Sequence, residues 1–574
     1  MNPNPSPGTH RLAVCAIVAL IALLMLPNLA WLCFAHDARA WIGAIVMPVI
    51  LLLTFFAIFG NRLWLACLLL VPFAVLVPLE TFYVATYHRP TFAEVIATIV
   101  ASNPRESIEY LGNALLPVLI SVLAALLVAL LAVWWSRRAE LRWTHRSRAF
   151  VLLIVIATPL ISAILAAVIA PGNIAIRLQK GMKPLAILAT PIRDGYPFGL
   201  IQRFADFFGE WSSMRDTAAG LDAFRFHTHR LKDIGKRQIY VLVIGESSRR
   251  DHWQLFGYDR ATNPELLRTP NLVPIPDFVS SWPTSITAIP MVVTRKPANS
   301  PSRGMWNEAS ILRAMQEAGF ETWWISNQLP IGKYDSPIAI YAFEAEHKIY
   351  LNHASLEVAG SYDELLLQPL RNAIHGSNHD LFIVLHMMGS HLNYDLRYPP
   401  SFEHFRPTFS EQDPNTAQGE RIRNSYDNSV LYSDHILASV IGILRDSGAI
   451  SALWFESDHG ETLPTPTCSE MGHDFGTRPE FEIAALFWYS DAYASTFPER
   501  VSSVRANADK RTMSQNTFES LIDMANLDYP QRDATLSLLS PQWQYRPRIV
   551  HGVTMTDYDT STTGSGCGLV LPGK

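Results

Sequence analysis

Cysteine is scarce and scattered. The 574 residues hold five, and no two form a Cys-x-x-Cys pair, which argues against a cysteine-built zinc site. Cys15, Cys33 and Cys67 lie in or beside apolar runs and read as small packing residues. An excess of positive charge is also missing. The formal net charge is −5, so no basic face offers itself to nucleic acid. No internal repeat is present. What abounds is apolar character, at 49% of residues, and most of that excess lies before residue 171.

Five long apolar stretches stand there, at 12–34, 41–60, 63–86, 114–135 and 149–170, each long enough to cross a bilayer as a helix. Pro27, Pro48, Pro72, Pro78, Pro117 and Pro159 interrupt them, which membrane helices tolerate. The first stretch lacks a small-residue cleavage site and is followed at once by another, so it reads as an anchor. Arg137, Arg138, Arg142, Arg146 and Arg148 crowd the loop before the fifth stretch and place that loop in the cytoplasm. Counting outward, the N-terminus is inside and everything after residue 171 is outside. Glu80, near the outer end of the third stretch, reads as an interface residue. The polar loop 87–112 offers Tyr87, His88, Arg89 and Arg105 to lipid headgroups, or is a solvated connector.

Residues 172–235 link this part to a globular one. Within them Leu200, Ile201, Phe204, Phe207, Phe208 and Trp211 recur on one side of a helix, with Gln202, Arg203, Asp206 and Glu210 on the other. Such a face lies in the membrane interface or packs on the globular domain. From 236 to 574 strand-like runs (239–244, 320–326, 381–385, 452–455, 481–489) alternate with helical patterns (310–318, 425–445). The alternation predicts an α/β domain with a mostly parallel sheet flanked by helices. Little regular structure is expected after about residue 555.

Three of those strand runs end in groups that bind metals. The first delivers Glu246 just past Gly245, a position where open α/β sheets hold ligands. The run 452–455 ends in Glu456-Ser457-Asp458-His459-Gly460-Glu461, and 381–385 ends in His386-Met387-Met388-Gly389-Ser390-His391. Carboxylate and imidazole together form an oxygen/nitrogen set that suits zinc.

GES at 245–247, GYDR at 257–260, SNQ at 326–328, LH followed by GSH at 385–391, YDN at 426–428 and SDHGE at 457–461 stand in one order. Over about residues 236–495 this series resembles the phosphoethanolamine transferases of the bacterial envelope, in the sulfatase-like branch of the alkaline phosphatase superfamily. The resemblance implies an alkaline phosphatase/sulfatase-like periplasmic domain behind an inner-membrane bundle of five helices. It implies a donor, phosphatidylethanolamine, and an acceptor in lipopolysaccharide (lipid A or core) or a periplasmic glycan. The family's nucleophile is usually a Thr five residues before a Pro, a place held here by Ser285 before Pro290, with Thr284 and Thr287 as neighbouring alternatives. Glu246, Asp458, His459 and the Ser285 oxygen are the expected ligands of one tight zinc, with a second metal left open. His391 and His473 are expected to touch the phosphoryl group or protonate the leaving oxygen, and Lys333 to pair with phosphate. His386 is expected to orient a ligand, and Asp427 and Asn428 to brace the core.

Two alternatives share the motifs: a hydrolase (sulfatase, phosphatase or phosphodiesterase) and a catalytically degenerate sensor or scaffold. Ser281-Trp282-Pro283-Thr284 opens like a sulfatase's formylglycine signature, but Ser285 stands where an Arg is required. Cys468 and Cys567 are the only cysteines beyond residue 67, and the oxidising periplasm favours a disulfide between them.

Overall fold

A backbone out of reach of water must satisfy its own hydrogen bonds, so the uncharged N-terminal runs become helices. These are α1 (Pro7–Leu32), α2 (Met47–Ile58), α3 (Leu63–Tyr87) and α4 (Leu115–Arg138). The computed structural model describes residues 7–35, 41–87, 90–91, 96, 114–153, 193–300, 308–330, 336–352, 361–411, 413 and 416–573. Among the described residues, three helices (α1, α3 and α4) are long and apolar enough to cross a membrane. The expected second span is shorter, because a π-helical turn at Ile42–Val46 leads into α2 at Pro48. Most of the fifth stretch, 154–170, lies outside the described residues, as does most of the 87–112 loop with His88, Arg89 and Arg105.

The chain divides into two compact units, Met1–Gly209 and Glu210–Lys574. In the first, the arginine-rich loop gathers at the α2–α3 turn. Arg148 donates to Asn61 Oδ1 and to the Ala57 carbonyl, both at 2.7 Å, and Arg137 lies over the Trp64 ring. At the far end of α3, Glu80 is buried against Arg203 at 2.7 Å. Arg203 belongs to α5 (Phe198–Leu221), the amphipathic segment. The expectation placed it on the polar, solvated side. It is instead 1% exposed, because Glu80 supplies a partner inside the unit. The apolar residues of α5 divide as well: Phe207 is buried, Phe208 is 61% exposed, and Trp211 meets the Phe343 ring edge-on.

The second unit is built on a seven-stranded sheet. Its strands are β1 (Gln238–Gly245), β2 (Leu272–Pro274), β3 (Glu321–Ser326), β4 (His347–Tyr350), β5 (Leu381–His386), β6 (Ile450–Ser457) and β7 (Ala485–Tyr489). The spatial order is β2-β7-β6-β1-β5-β3-β4. From β6 to β4 neighbouring strands run parallel, and β1 and β6 are buried along their whole length, as strands covered on both faces must be. The edge departs from the expected parallel pattern: β7 runs antiparallel to β6 and to β2, so the sheet is mixed. After β6 the chain returns beside it without a helical crossover, Ser457 N bonding the Ala484 carbonyl, and such a return reverses direction.

Helix α6 (Ser285–Val293) opens at the candidate nucleophile. Helix α7 (Ile311–Glu317) is capped by the Ser310 hydroxyl. The 29-residue α8 (Gln418–Asp446) packs Val430, Leu437, Ile441 and Leu444 against the Ile239, Val241 and Val243 side of the sheet. Asp427 on α8 braces the chain after β1 by accepting from His252, Tyr258 and Arg260. The region after residue 548 is more ordered than expected, with Ile549–His551 pairing Met555–Asp557 and Thr562–Thr563 pairing Val570–Leu571.

Candidate active site

Register brings the expected groups together. Ile244 sits opposite His386 on one side and Glu456 on the other, so β1, β5 and β6 end at one level. Glu246 and Asp458 follow those ends directly, and Asp458 N bonds the Gly245 carbonyl. Glu246, Asp458 and His459 offer ligand atoms within 4.8 Å of one another, and all three are buried. Ser285, the first residue of α6, donates its Oγ to Glu246 Oε2 at 3.1 Å and lies 3.2 Å from His459 Nε2. Thr284 faces elsewhere: its Oγ1 meets Thr287 Oγ1 at 2.7 Å, and neither hydroxyl reaches the cluster.

Several donors hold this cluster in shape. Ser247 Oγ donates to Glu246 Oε1 at 2.7 Å, while the backbone N–H groups of Ser247 and His459 both donate to Asp458 Oδ1. Asp458 Oδ2 is buried without any partner. The His459 Nδ1 lies 2.7 Å from the Gly460 carbonyl, which can only accept, so the proton sits on Nδ1 and the Nε2 lone pair faces inward. That lone pair lies 3.5 Å from carboxylate oxygens of both Glu246 and Asp458. Burial, then the charge of Asp458, pushes the Glu246 carboxyl well up, and burial lowers His459. Three facing acceptors, one carboxylate oxygen orphaned, and a hydroxyl beside them form a donor set that fits a divalent cation.

His473 and Glu461 adjoin it. The rings of His459 and His473 are 4.3 Å apart, and His473 Nδ1 is 3.2 Å from Glu461 Oε2. Burial would lower His473, but the bond to Glu461 and its charge outweigh this and hold the imidazole above its ordinary value. Tyr394 OH donates to the other Glu461 oxygen. His459, Glu461 and His473 form a second group of ligand-type atoms within reach of one another. His391 behaves differently: burial and the Arg397 guanidinium lower it to about 3, and it also feels the charges of His473 and His459. Lys333 lies outside the described residues. Among the described residues His386 makes no hydrogen bond to Glu246, Asp458 or His459; its Nδ1 is 3.4 Å from Ser326 Oγ and its ring meets Trp324 edge-on.

Other supports gave little sequence signal. Asp363 accepts from the N–H groups of Met388 and Gly389 and so fixes the GSH loop. Gly389, at φ +52, lies so close to Glu246 that a Cβ there would fall 2.7 Å from its carbonyl oxygen. Gln328 of the SNQ turn donates to the Met387 carbonyl at 3.0 Å and reaches Glu246 Oε2 at 3.5 Å. Trp282, three residues before Ser285, stacks on His551 with centroids 3.8 Å apart. Cys468 and Cys567 are joined, with Cα atoms 4.6 Å apart and a sequence separation of 99. A groove of about 730 Å³ is lined by Arg249, Arg423, Leu463, Pro464 and Met471, so the loop around Glu461 and His473 also forms its wall.

Comparison with known proteins finds relatives along most of the chain. The phosphoethanolamine transferase EptC of Escherichia coli (strain K12) is 26% identical over 502 residues, 85% of each chain. The Kdo(2)-lipid A phosphoethanolamine 7''-transferase of the same organism is 27% identical over 495 residues, 80% of this chain and 83% of that one. The crystal structure of the C-terminal periplasmic domain of EcEptC from Escherichia coli, a complex with Zn, superposes with a TM-score of 0.52 at 27% identity, covering 58% of this chain and 95% of that one. The Sulfatase family pattern matches residues 238–527, which is half of the sequence and takes in Glu246, Ser285, Asp458 and His459. The chain therefore belongs to the Sulfatase family, and its relatives there include phosphoethanolamine transferases.

Proposed function

We propose that this chain is a zinc-dependent, membrane-bound phosphoethanolamine transferase. It moves phosphoethanolamine from phosphatidylethanolamine to lipopolysaccharide (lipid A or core) or a periplasmic glycan, through a covalent intermediate on Ser285. The observation that carries the reading is the placement of Ser285 Oγ, 3.1 Å from Glu246 and 3.2 Å from His459 at the end of a parallel sheet. The transferase names of the relatives and the Zn complex of the EptC domain support it.

Glu246, Asp458, His459 and Ser285 would hold the zinc, which when bound supplies Lewis-acid stabilisation of negative charge. The residues do the rest. Glu246, the acceptor of the Ser285 hydroxyl hydrogen bond, orients Oγ and takes its proton as Oγ attacks phosphorus. As the Oγ–P bond forms, the bond from phosphorus to the diacylglycerol oxygen breaks. His473, whose hydrogen bond to Glu461 raises its affinity for a proton, gives that oxygen its proton. In the second half the acceptor hydroxyl returns a proton to His473 and attacks phosphorus, and Ser285 leaves, its Oγ taking back its proton from Glu246. His391, neutral at physiological pH, offers the phosphoryl group a hydrogen bond without adding charge. The N-terminus of α6 adds a favourable dipole at the same point.

The membrane arrangement we infer has five passes, the N-terminus in the cytoplasm and the catalytic unit in the periplasm of a bacterial inner membrane. The arginines gathered at the α2–α3 turn support that orientation. Mass spectrometry of lipopolysaccharide and periplasmic glucans, from cells with and without the gene, tests the function. A phosphoethanolamine increment that needs Ser285 is expected. Donor cleavage with transfer only to water would make the protein a hydrolase and overturn the reading.

A further inference from the structure

The membrane unit holds a cation that its own residues satisfy on one side only. Arg203 is 1% exposed. Among the described residues its Nη1 makes all of its contacts: Glu80 Oε1 at 2.7 Å, and the Thr91 carbonyl and Thr91 Oγ1 at 2.6 Å each. Its Nε and Nη2 are buried with no hydrogen-bond partner among the described residues. Glu80, by contrast, is fully used, since Oε1 also accepts from Thr91 N and Oε2 accepts from Thr91 Oγ1. The unpaired edge is the one that matters for recognition. Nε–H and Nη2–H point the same way and match two oxygens of a phosphate. Leaving two charged donors buried and unmet is costly, so a native site of this kind takes an acceptor.

Position narrows the choice. Glu80 comes 17 residues after Leu63, about 26 Å along α3 at 1.5 Å per residue. The Arg148–Asn61 contact marks the opposite, arginine-rich end. With the orientation proposed above, Arg203 lies near the outer boundary of the bilayer, at the depth of lipid phosphates. We propose that the Nε–Nη2 edge of Arg203 is a phosphate-binding site of the membrane unit, taking the phosphodiester of an outer-leaflet lipid headgroup or, by the same chemistry, free phosphate. Charge separates the lipids. Glu80 already offsets Arg203, so an anionic headgroup leaves the site at net −1, whereas a headgroup with its own ammonium leaves it neutral. Phosphatidylethanolamine should therefore bind ahead of phosphatidylglycerol.

This inference uses the proposed orientation but not the transferase chemistry, so it can stand or fall apart from that reading. The test uses the full-length protein, delipidated in detergent and reloaded from phosphatidylethanolamine or phosphatidylglycerol micelles, with bound lipid counted by native mass spectrometry. Inorganic phosphate is titrated in a parallel arm followed by ³¹P NMR. Arg203→Lys keeps the charge beside Glu80 and loses the fork, which should weaken retention about tenfold through one lost charge-assisted bond. Glu80→Gln/Arg203→Gln, a neutral pair, covers the case in which the lysine variant does not fold. Selective loss of phosphatidylethanolamine in either variant supports a lipid headgroup as the ligand. Loss of inorganic phosphate binding alone supports the free anion. Equal retention of both probes by wild type and variants overturns the proposal, as does a high-resolution map showing only water at Nε and Nη2.

Discussion

Replacing Gly389 with alanine should disturb the candidate metal cluster without replacing any of its proposed ligands. The residue sits at φ +52, where a side chain costs about 1–2 kcal/mol. A second effect is larger. The new Cβ would lie 2.7 Å from the Glu246 oxygen and 2.9 Å from its nitrogen, about 0.8 Å inside an ordinary contact of about 3.5 Å. Both atoms are backbone, and the approach is pinned by Ser390 N on the Glu246 carbonyl and Met387 N on the Ile244 carbonyl. The strand end must move, and Glu246 moves with it. Misplacement of about 1 Å at a reacting centre costs on the order of 10²-fold, so Gly389→Ala should lose roughly one to two orders of magnitude in turnover along with bound zinc. Gly319 supplies the control. It closes α7 at φ +82 with nothing within 4 Å of a built Cβ, so Gly319→Ala carries strain alone: a lower melting temperature and unchanged turnover. The assay is transfer from lipid donor, beside zinc content by mass spectrometry and melting by circular dichroism. Turnover of Gly389→Ala within twofold of the native chain, or equal losses in both variants, would refute the reasoning.

Four further outcomes follow from the same coordinates. Ser285→Ala should abolish the covalent phosphoethanolamine-enzyme seen by intact-protein mass spectrometry, while Ser285→Thr keeps substantial activity; an inactive Thr284→Ala beside an active Ser285→Ala would assign the nucleophile to the neighbouring hydroxyl. Glu246→Ala should lose zinc and turnover together, and full activity after thorough chelation would exclude the metal mechanism. Cys468→Ser should lower stability by roughly 2–4 kcal/mol, and alkylation of both cysteines in unfolded, unreduced protein would show that no bond exists. Burial holds the Glu344 carboxyl up at about 7, so between about pH 4 and 7 the unfolded chain sheds that proton first and the folded state loses stability as pH rises. The melting temperature of Glu344→Gln relative to the native chain should accordingly rise from pH 5 to pH 8, and a constant difference would contradict the assignment.

The sheet and the ligand cluster were legible for a shared reason. Central strands are apolar on both faces, so β1 and β6 stand out as unbroken runs, and acids directly after such runs have few structural alternatives. Ser285 needed the family resemblance, since in the bare sequence it is one hydroxyl among Thr284, Thr287 and their neighbours. Antiparallel β7 was not legible, because an apolar run carries no record of its direction. Asp363 acts on backbone N–H groups 25 and 26 residues away in sequence, and Arg203 depends on Glu80 from another helix. Such partnerships exist only once the chain has folded. Helical periodicity put Arg203 on a polar stripe, and a buried acid then reversed its environment.

The Cys468–Cys567 link has a consequence for damage. It encloses residues 469–566 in a covalent ring that contains His473, the edge strand β7 and the hairpin whose His551 stacks on Trp282. The turn at Asp509–Arg511 is exposed and carries two basic side chains, an inviting place for a protease. A cut there divides the backbone but frees neither piece, since each still holds one sulfur of the bond. The half bearing His473 and the half bearing His551 stay tethered at high local concentration. A nicked molecule therefore keeps His473 and the Trp282–His551 stack held to one another through the sulfur link.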